Sequence, residues 1–289
     1  MTMDVATMRH RFAAQSVIEE LLRLQGGVPR RSPVARFFGV SPLGPDSAAW
    51  YLGAKGEQAV GSLLETLPPE WTVFHALPVG ARDSDIDHVV VGPAGIFTIN
   101  SKHHRGTSVW VAGSTVMVAG RETRYVRDAE FEAARVTRLV KHRMPRIAPA
   151  HPVVALVDPQ PLTIRERPAN VTVIDARRLP GWLLSLPPVL AWPERMEITA
   201  IIDNPATWRQ PDASAPSTES RTLRTAASSS ATPADDPVAR FAALDAEVRS
   251  ARTRRVLWSL FAVVATTGAA VVAAPALSIA VMEFLLSTG

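Results

Sequence analysis

Cysteine is absent from this 289-residue chain. That excludes disulfides, thiolate catalysis and cysteine-based zinc sites together. Aromatic residues make up only 6% of the sequence. Of these, Trp182 and Trp192 lie in apolar surroundings without interleaved lysine or arginine, which fits packing positions rather than a platform for stacked bases. No Gly-rich phosphate loop, Walker-type motif, Ser-His-Asp order or internal repeat occurs, so neither an ATPase nor a serine hydrolase is expected. No large excess of one charge occurs either. The 31 basic residues against 27 acidic leave a net charge of +4, which permits contact with nucleic acid or anionic lipid without demanding either.

What is present is a compact constellation between Asp85 and Lys102. The turn Gly92-Pro93-Ala94-Gly95 separates two apolar runs, Val89 to Val91 and Ile96 to Ile99, the pattern of an antiparallel hairpin. With the four residues Gly92 to Gly95 as the loop, Val91 sits opposite Ile96, Asp87 opposite Asn100 and Asp85 opposite Lys102. All four polar side chains then share one face. Directly opposed Cβ atoms lie roughly 4.5–5.5 Å apart, close enough for an acid and an amide to share one cation or water. A three-residue loop with Gly95 as a bulge residue sends Asn100 to the other face. A plainer reading stays open, in which Lys102 pairs with Asp85 or Asp87 as an ordinary cross-strand ion pair.

The rest of the chain alternates helices and strands, which argues an α/β class. Helical spacing appears over residues 1–24, 48–67 and 128–143, and again near 179–186 and 193–202. Asp128 stands where a cap for the third of these is expected. Strand patterns appear over residues 71–77, 109–112, 115–119, 152–157 and 171–174. Glu57 falls among polar neighbours in its helix, where an exposed residue pairing with Lys55 or Arg82 is one reading. By strand alternation His88 points away from Asp87 and reads as a packing or hydrogen-bonding residue. His103, His104 and Arg105 form either a solvated basic corner or a phosphate contact.

The organisation expected is an N-terminal helix and irregular basic arm over 1–47, a main domain over 48–210, a disordered Ser/Thr/Ala/Pro-rich linker over 211–238, a basic juxtamembrane helix over 239–255, a membrane helix over 256–282 and a short tail over 283–289. Residues 256–282 carry no charge, a stretch longer than the roughly 20 apolar residues a crossing helix needs. Arginines 249, 252, 254 and 255 flank it on the N-terminal side, so the positive-inside rule places the preceding residues in the cytoplasm. The expected location is a single-pass anchor in the cell membrane, with the lipid bilayer as one partner. The N-terminus shows no signal-peptide pattern.

The runs Gly56-Glu57-Gln58-Ala59-Val60, Asp85-Ile86-Asp87-His88-Val89-Val90-Val91-Gly92-Pro93 and Gly95-Ile96-Phe97, together with Lys102, resemble the nuclease-related domain, NERD, over roughly residues 50–141. That family is grouped with restriction-endonuclease-like nucleases of the PD-(D/E)xK type. The resemblance implies a mixed sheet flanked by helices, nucleic acid as partner and Mg²⁺ as cofactor. It also implies Glu57 as the helix-borne acid, Asp87 as principal metal ligand and Lys102 as the lysine of the final motif. Asn100 stands where that motif normally carries Glu, Asp or Gln. A carboxamide still offers a carbonyl oxygen to a metal but brings no charge, and hard cations are selected largely by carboxylates. Asp85 is the compensating ligand that a period of two places beside Asp87. The two functions expected are therefore a metal-dependent nuclease with a variant site and a degenerate binding or scaffolding module at the membrane.

Overall fold

The structure, a computed structural model, describes residues 7–78, 85–208 and 236–287, with side chains in the last segment described to residue 268. In chain order its helices are α1 (Gln15–Gly26), α2 (Pro33–Phe37), α3 (Ser47–Leu64), α4 (Tyr125–Lys141), α5 (Leu179–Ser185), α6 (Trp192–Asp203), α7 (Pro205–Trp208) and α8 (Pro237–Ser287). The strands are β1 (Thr72–Pro78), β2 (Asp85–Gly92), β3 (Gly95–His103), β4 (Val109–Ala112), β5 (Thr115–Val118), β6 (Arg121–Thr123), β7 (His151–Val157), β8 (Leu162–Glu166) and β9 (Thr172–Asp175). The chain divides into two compact units, one of residues 1–21 and 48–227, the other of residues 22–47 and 228–289.

In the first unit the order β1-β2-β3-β7-β9 makes a five-stranded mixed sheet. Its first three strands are antiparallel, and β3-β7 and β7-β9 run parallel. The α/β class with a mixed sheet between helices is thus as expected. One core joins Val89, Val91 and Ile96 to Val136 and Val140 of α4 and Ile198 and Ile202 of α6. The other joins Val90, Phe97, Ile99 and Val153 to Val60 and Leu64 of α3 and Leu179 and Leu183 of α5. Valines 89, 90 and 91 alternate between the two, which is why a near-continuous apolar run suits a strand covered on both faces. A second sheet, β6-β5-β4-β8, buries Val109, Val111 and Val116 with Val126 and Ala129 of α4.

The hairpin turn is dictated by its two glycines. Gly92 pairs with Gly95, and Gly95 sits at φ +128°, a backbone that side-chain-bearing residues rarely adopt. A Cβ on Gly92 would meet Trp71 Cε3 at 2.1 Å. The expected Val91↔Ile96 register is present and runs to His88↔Ile99. There the ladder ends. Strand β2 continues against β1 (Leu77↔Ile86, Pro78↔Asp85) while β3 continues against β7 (Asn100↔Val154, Lys102↔Leu156). The expected Asp87–Asn100 and Asp85–Lys102 ladder pairs are therefore replaced by a fork. Ala76 of β1, facing Asp87 across the strand pair, has φ +49°, and alternation breaks at this level. Phe74 and Leu77, like Ile86 and Val89, all reach the same core.

Three further expectations change. The N-terminal helix is divided into a 3₁₀ turn at Met8–His10 and α1, and the irregular arm contains α2, whose Ser32 hydroxyl accepts from Ala35 N–H. Asp128 lies in the first turn of α4 rather than at its cap, which is Arg124, so it contributes through the helix dipole.

The second unit is described by itself. Arg31 pairs with Glu247 at 2.7 Å, and Trp258 Nε1 donates to Phe37 O at 3.0 Å. Phe37 and Phe38 lie 5.0 and 5.1 Å from the Trp258 ring. No helix of the described residues is long and apolar enough to cross a membrane. The uncharged part whose side chains are described runs only from Val256 to Gly268 and follows four arginines. Side chains of residues 269–282 of the expected span, and residues 211–235 of the expected linker, lie outside the described residues.

Candidate functional site

Helix α3 approaches the sheet through glycines. A Cβ on Gly56 would stand 3.1 Å from His103 Cβ of β3, and one on Gly61 would stand 3.7 Å from the His75 and His88 rings of β1 and β2. That close approach seats Glu57 in the interior, 7% exposed. It is not the solvent-exposed helix residue of the simpler reading. Its carboxyl pKa is pushed up to about 9, first by burial and then by Asp87, with Lys102 opposing.

At the fork Asp87 uses its side chain where a strand would use backbone. Ser101 N–H donates to Asp87 Oδ2 at 2.6 Å. Burial raises the Asp87 pKa, opposed by Lys102 and by the Ser101 backbone N–H and hydroxyl. Behind it runs a buried chain of polar groups: His75 Nδ1 lies 2.8 Å from His88 Nδ1, and His88 Nε2 lies 3.2 Å from Ser101 Oγ. Burial holds both imidazoles below their ordinary pKa. One proton assignment then satisfies the chain. His75 donates to neutral His88, His88 donates to Ser101 Oγ, and the hydroxyl proton is left for Asp87. His88 thus has the hydrogen-bonding role expected of it.

Lys102 lies with its Nζ 5.3 Å from the centre of the Tyr125 ring, a cation–π contact that aims the ammonium. Tyr125 in turn stacks on His104, with its hydroxyl 3.1 Å from His104 Nε2. Asp85 is engaged elsewhere: its Oδ2 accepts from Arg11 Nη2 at 3.0 Å and from Ser16 Oγ. The structure therefore gathers Glu57, Asp87 and Lys102 into one electrostatic group, while Asp85, whose charge also repels Glu57 and Asp87, is held by the N-terminal segment.

Asn100 is 5% exposed. Its Nδ2 donates at 2.6 Å to Glu132 Oε1 of α4, a residue absent from the expected site. The Glu132 pKa is pushed up to about 8, chiefly by burial and then by Asp87, with Lys102 again opposing. Asn100 Oδ1 and Glu132 Oε2 are both buried without a hydrogen-bond partner. The signal that could have found Glu132 is its place in the helix. The buried face is Val126, Ala129, Ala133, Val136 and Val140, and Glu132 sits three after Ala129 and four before Val136, an acid within an apolar stripe.

Three carboxylates thus share Lys102 as the cation they all feel. Among the described residues no three acidic or histidine side chains converge closely enough to hold a metal ion as they stand. Their chemistry suits a hard divalent cation all the same: every donor is oxygen, and two of these oxygens are buried without a partner. Comparison with curated proteins and with solved structures gave no match. Comparison with protein families did: residues 52–157, the segment that carries Glu57, Asp87, Asn100, Lys102 and Glu132, match the nuclease-related domain, NERD.

Proposed function

We propose that the chain is a membrane-anchored nuclease-related protein that binds nucleic acid and hydrolyses phosphodiesters with Mg²⁺. The observation that carries this reading is the desolvated group of Glu57, Asp87 and Glu132 around Lys102, whose raised carboxyl pKa values mark a site short of positive charge. Glu57, Asp87 and Asn100 would hold the cation, which supplies Lewis-acid polarisation of a phosphoryl oxygen and a more acidic water. Lys102, aimed by Tyr125, stabilises charge developing on the phosphate. Ser101 and the histidine chain hold Asp87 in place, as partners behind a ligand commonly do. The full chain incubated with single- and double-stranded DNA and RNA is expected to cleave one of them with Mg²⁺ or Mn²⁺ and not with chelator. Asp87→Ala and Lys102→Ala should each lower that rate by about 10²- to 10³-fold.

The neutral Asn100 favours a second reading, a binding module without catalysis. It predicts retention of nucleic acid on a filter, without cleavage, and no loss of that retention in Asp87→Ala.

The second unit supports the membrane location. Leu257, Leu260, Phe261, Val263 and Val264 of α8 are all exposed, and they follow directly on Arg249, Arg252, Arg254 and Arg255. The Phe37, Phe38, Trp258 and Phe261 rings gather at that junction, where aromatic residues favour a lipid headgroup region. Arginines near an anionic surface contribute about 1 kcal/mol each. Flotation with vesicles containing phosphatidylglycerol should carry the protein upward, and a tag after Gly289 should be protected from added protease. A freely digested tag on floating protein overturns the topology.

A further inference from the structure

Asn100 and Glu132 form a pair whose chemistry is reciprocal. The carboxamide gives one N–H to Glu132 Oε1 at 2.6 Å. A carboxylate at position 100 could not do so, and two ionised carboxylates at that separation repel. Position 100, on the central strand β3, is neutral, and α4, which packs on β3 and β7, delivers a carboxylate to it. Each side chain then keeps one oxygen, Asn100 Oδ1 and Glu132 Oε2, buried and without a partner. A buried unpaired oxygen is costly, so two at one contact mark a place where something else completes the set.

We infer that Glu132 supplies the carboxylate that position 100 lacks, so that Asn100 Oδ1 and Glu132 Oε2 are oxygen donors to the divalent cation and Asn100 Nδ2 positions Glu132. This rests on the cation reading of the site given above. It adds a ligand from α4, an element that carries none of the motif residues, and it makes the asparagine a positioning residue as well as a donor. The acid has changed elements rather than been lost. The pairing also predicts that a carboxylate is tolerated at 100 or at 132 but not at both.

The test is calorimetric binding of Mn²⁺ to the full chain in detergent micelles. Glu132→Gln keeps the size of the side chain and an oxygen to accept from Asn100 Nδ2, and is expected to weaken Mn²⁺ binding by about 10- to 100-fold. Asn100→Asp combined with Glu132→Gln moves the charge across the pair and should recover most of that loss. Asn100→Asp alone should bind no better than the unaltered chain. Unaltered binding in Glu132→Gln overturns the inference while leaving the cation reading intact. A double variant as weak as Glu132→Gln also overturns it, since the loss then follows from altered packing rather than from the carboxylate. Failure of the unaltered chain to bind Mn²⁺ overturns both the inference and the cation reading beneath it.

Discussion

With divalent cations chelated, the protein is expected to lose stability as pH rises from about 4.5 toward 9, and added Mg²⁺ or Mn²⁺ is expected to restore it increasingly at the alkaline end. The Glu57 and Glu132 carboxyls have folded-state pKa values of about 9 and about 8, against 4.5 for the ordinary side chain. The folded chain therefore retains protons that the unfolded chain has released. Their stabilising contribution is fully present below 4.5 and is lost as pH rises through the folded values, at about 1.4 kcal/mol per pH unit for each proton released on unfolding. Asp87 is displaced in the same direction. His75 and His88, held below the ordinary value of 6.5, act in the opposite sense: their contribution is present above 6.5 and is lost as pH falls. The chelated protein should be most stable on the acid side of neutrality. Urea unfolding at several pH values, with chelator and with Mn²⁺, measures both limbs. A cation effect that is constant across pH would remove the link between these carboxyls and the ion.

That link explains how an electrostatically unfavourable group persists in a folded interior. Burial of three carboxylates against one lysine is costly in the absence of further positive charge. The cost falls on α3, the β2–β3 fork and α4 together, because each supplies one acid. A ligand that neutralises the group stabilises all three elements at once.

Much of this arrangement is legible in the residues. The hairpin register follows from Gly92 and Gly95, since the number of turn residues fixes which strand positions meet. The hydrogen-bonding role of His88 is legible, but the side that alternation gives it is not kept, because its Nε2 reaches the Ser101 hydroxyl beside Asp87. The fork is not legible, because it depends on the left-handed backbone of Ala76 and on Asp87 replacing a ladder hydrogen bond with its side chain. Neither has a local sequence mark. Asp85 illustrates the consequence: a period of two sets it beside Asp87, but beyond the break it meets Arg11 and Ser16. Glu132 is masked in the sequence by its neighbours. Phe131 and Ala134 are apolar but lie off the buried face, Phe131 being 65% exposed, so apolar spacing alone turns α4 away from the stripe through Ala129 and Ala133. Strand β8 carries no alternation to mark it, because its Arg165 and Glu166 face solvent.

Glu57→Gln is expected to move stability and activity in opposite directions. Glutamine is nearly isosteric with protonated glutamic acid, the form burial favours for Glu57 below about pH 9. At pH 8 with chelator, the unaltered chain must take up a proton at this position on folding, and the variant need not. The variant should therefore be more stable there, by up to about 1.4 kcal/mol for each pH unit above the unfolded value at which the unaltered side chain must hold its proton. At pH 4.5 the unfolded side chain is itself half protonated, so the advantage should largely vanish, a pH dependence that simple repacking would not produce. With Mn²⁺ present the order reverses, because the variant has lost a carboxylate donor and with it part of the stabilisation by bound cation. Cleavage should fall by about 10²- to 10³-fold, as for loss of a group that stabilises developing charge. Parallel urea titrations at pH 4.5 and 8, with and without Mn²⁺, separate the two effects. A variant less stable than the unaltered chain at pH 8 in chelator would mean that the Glu57 charge is compensated within the protein, and the case for a cation at this site would lose its electrostatic basis.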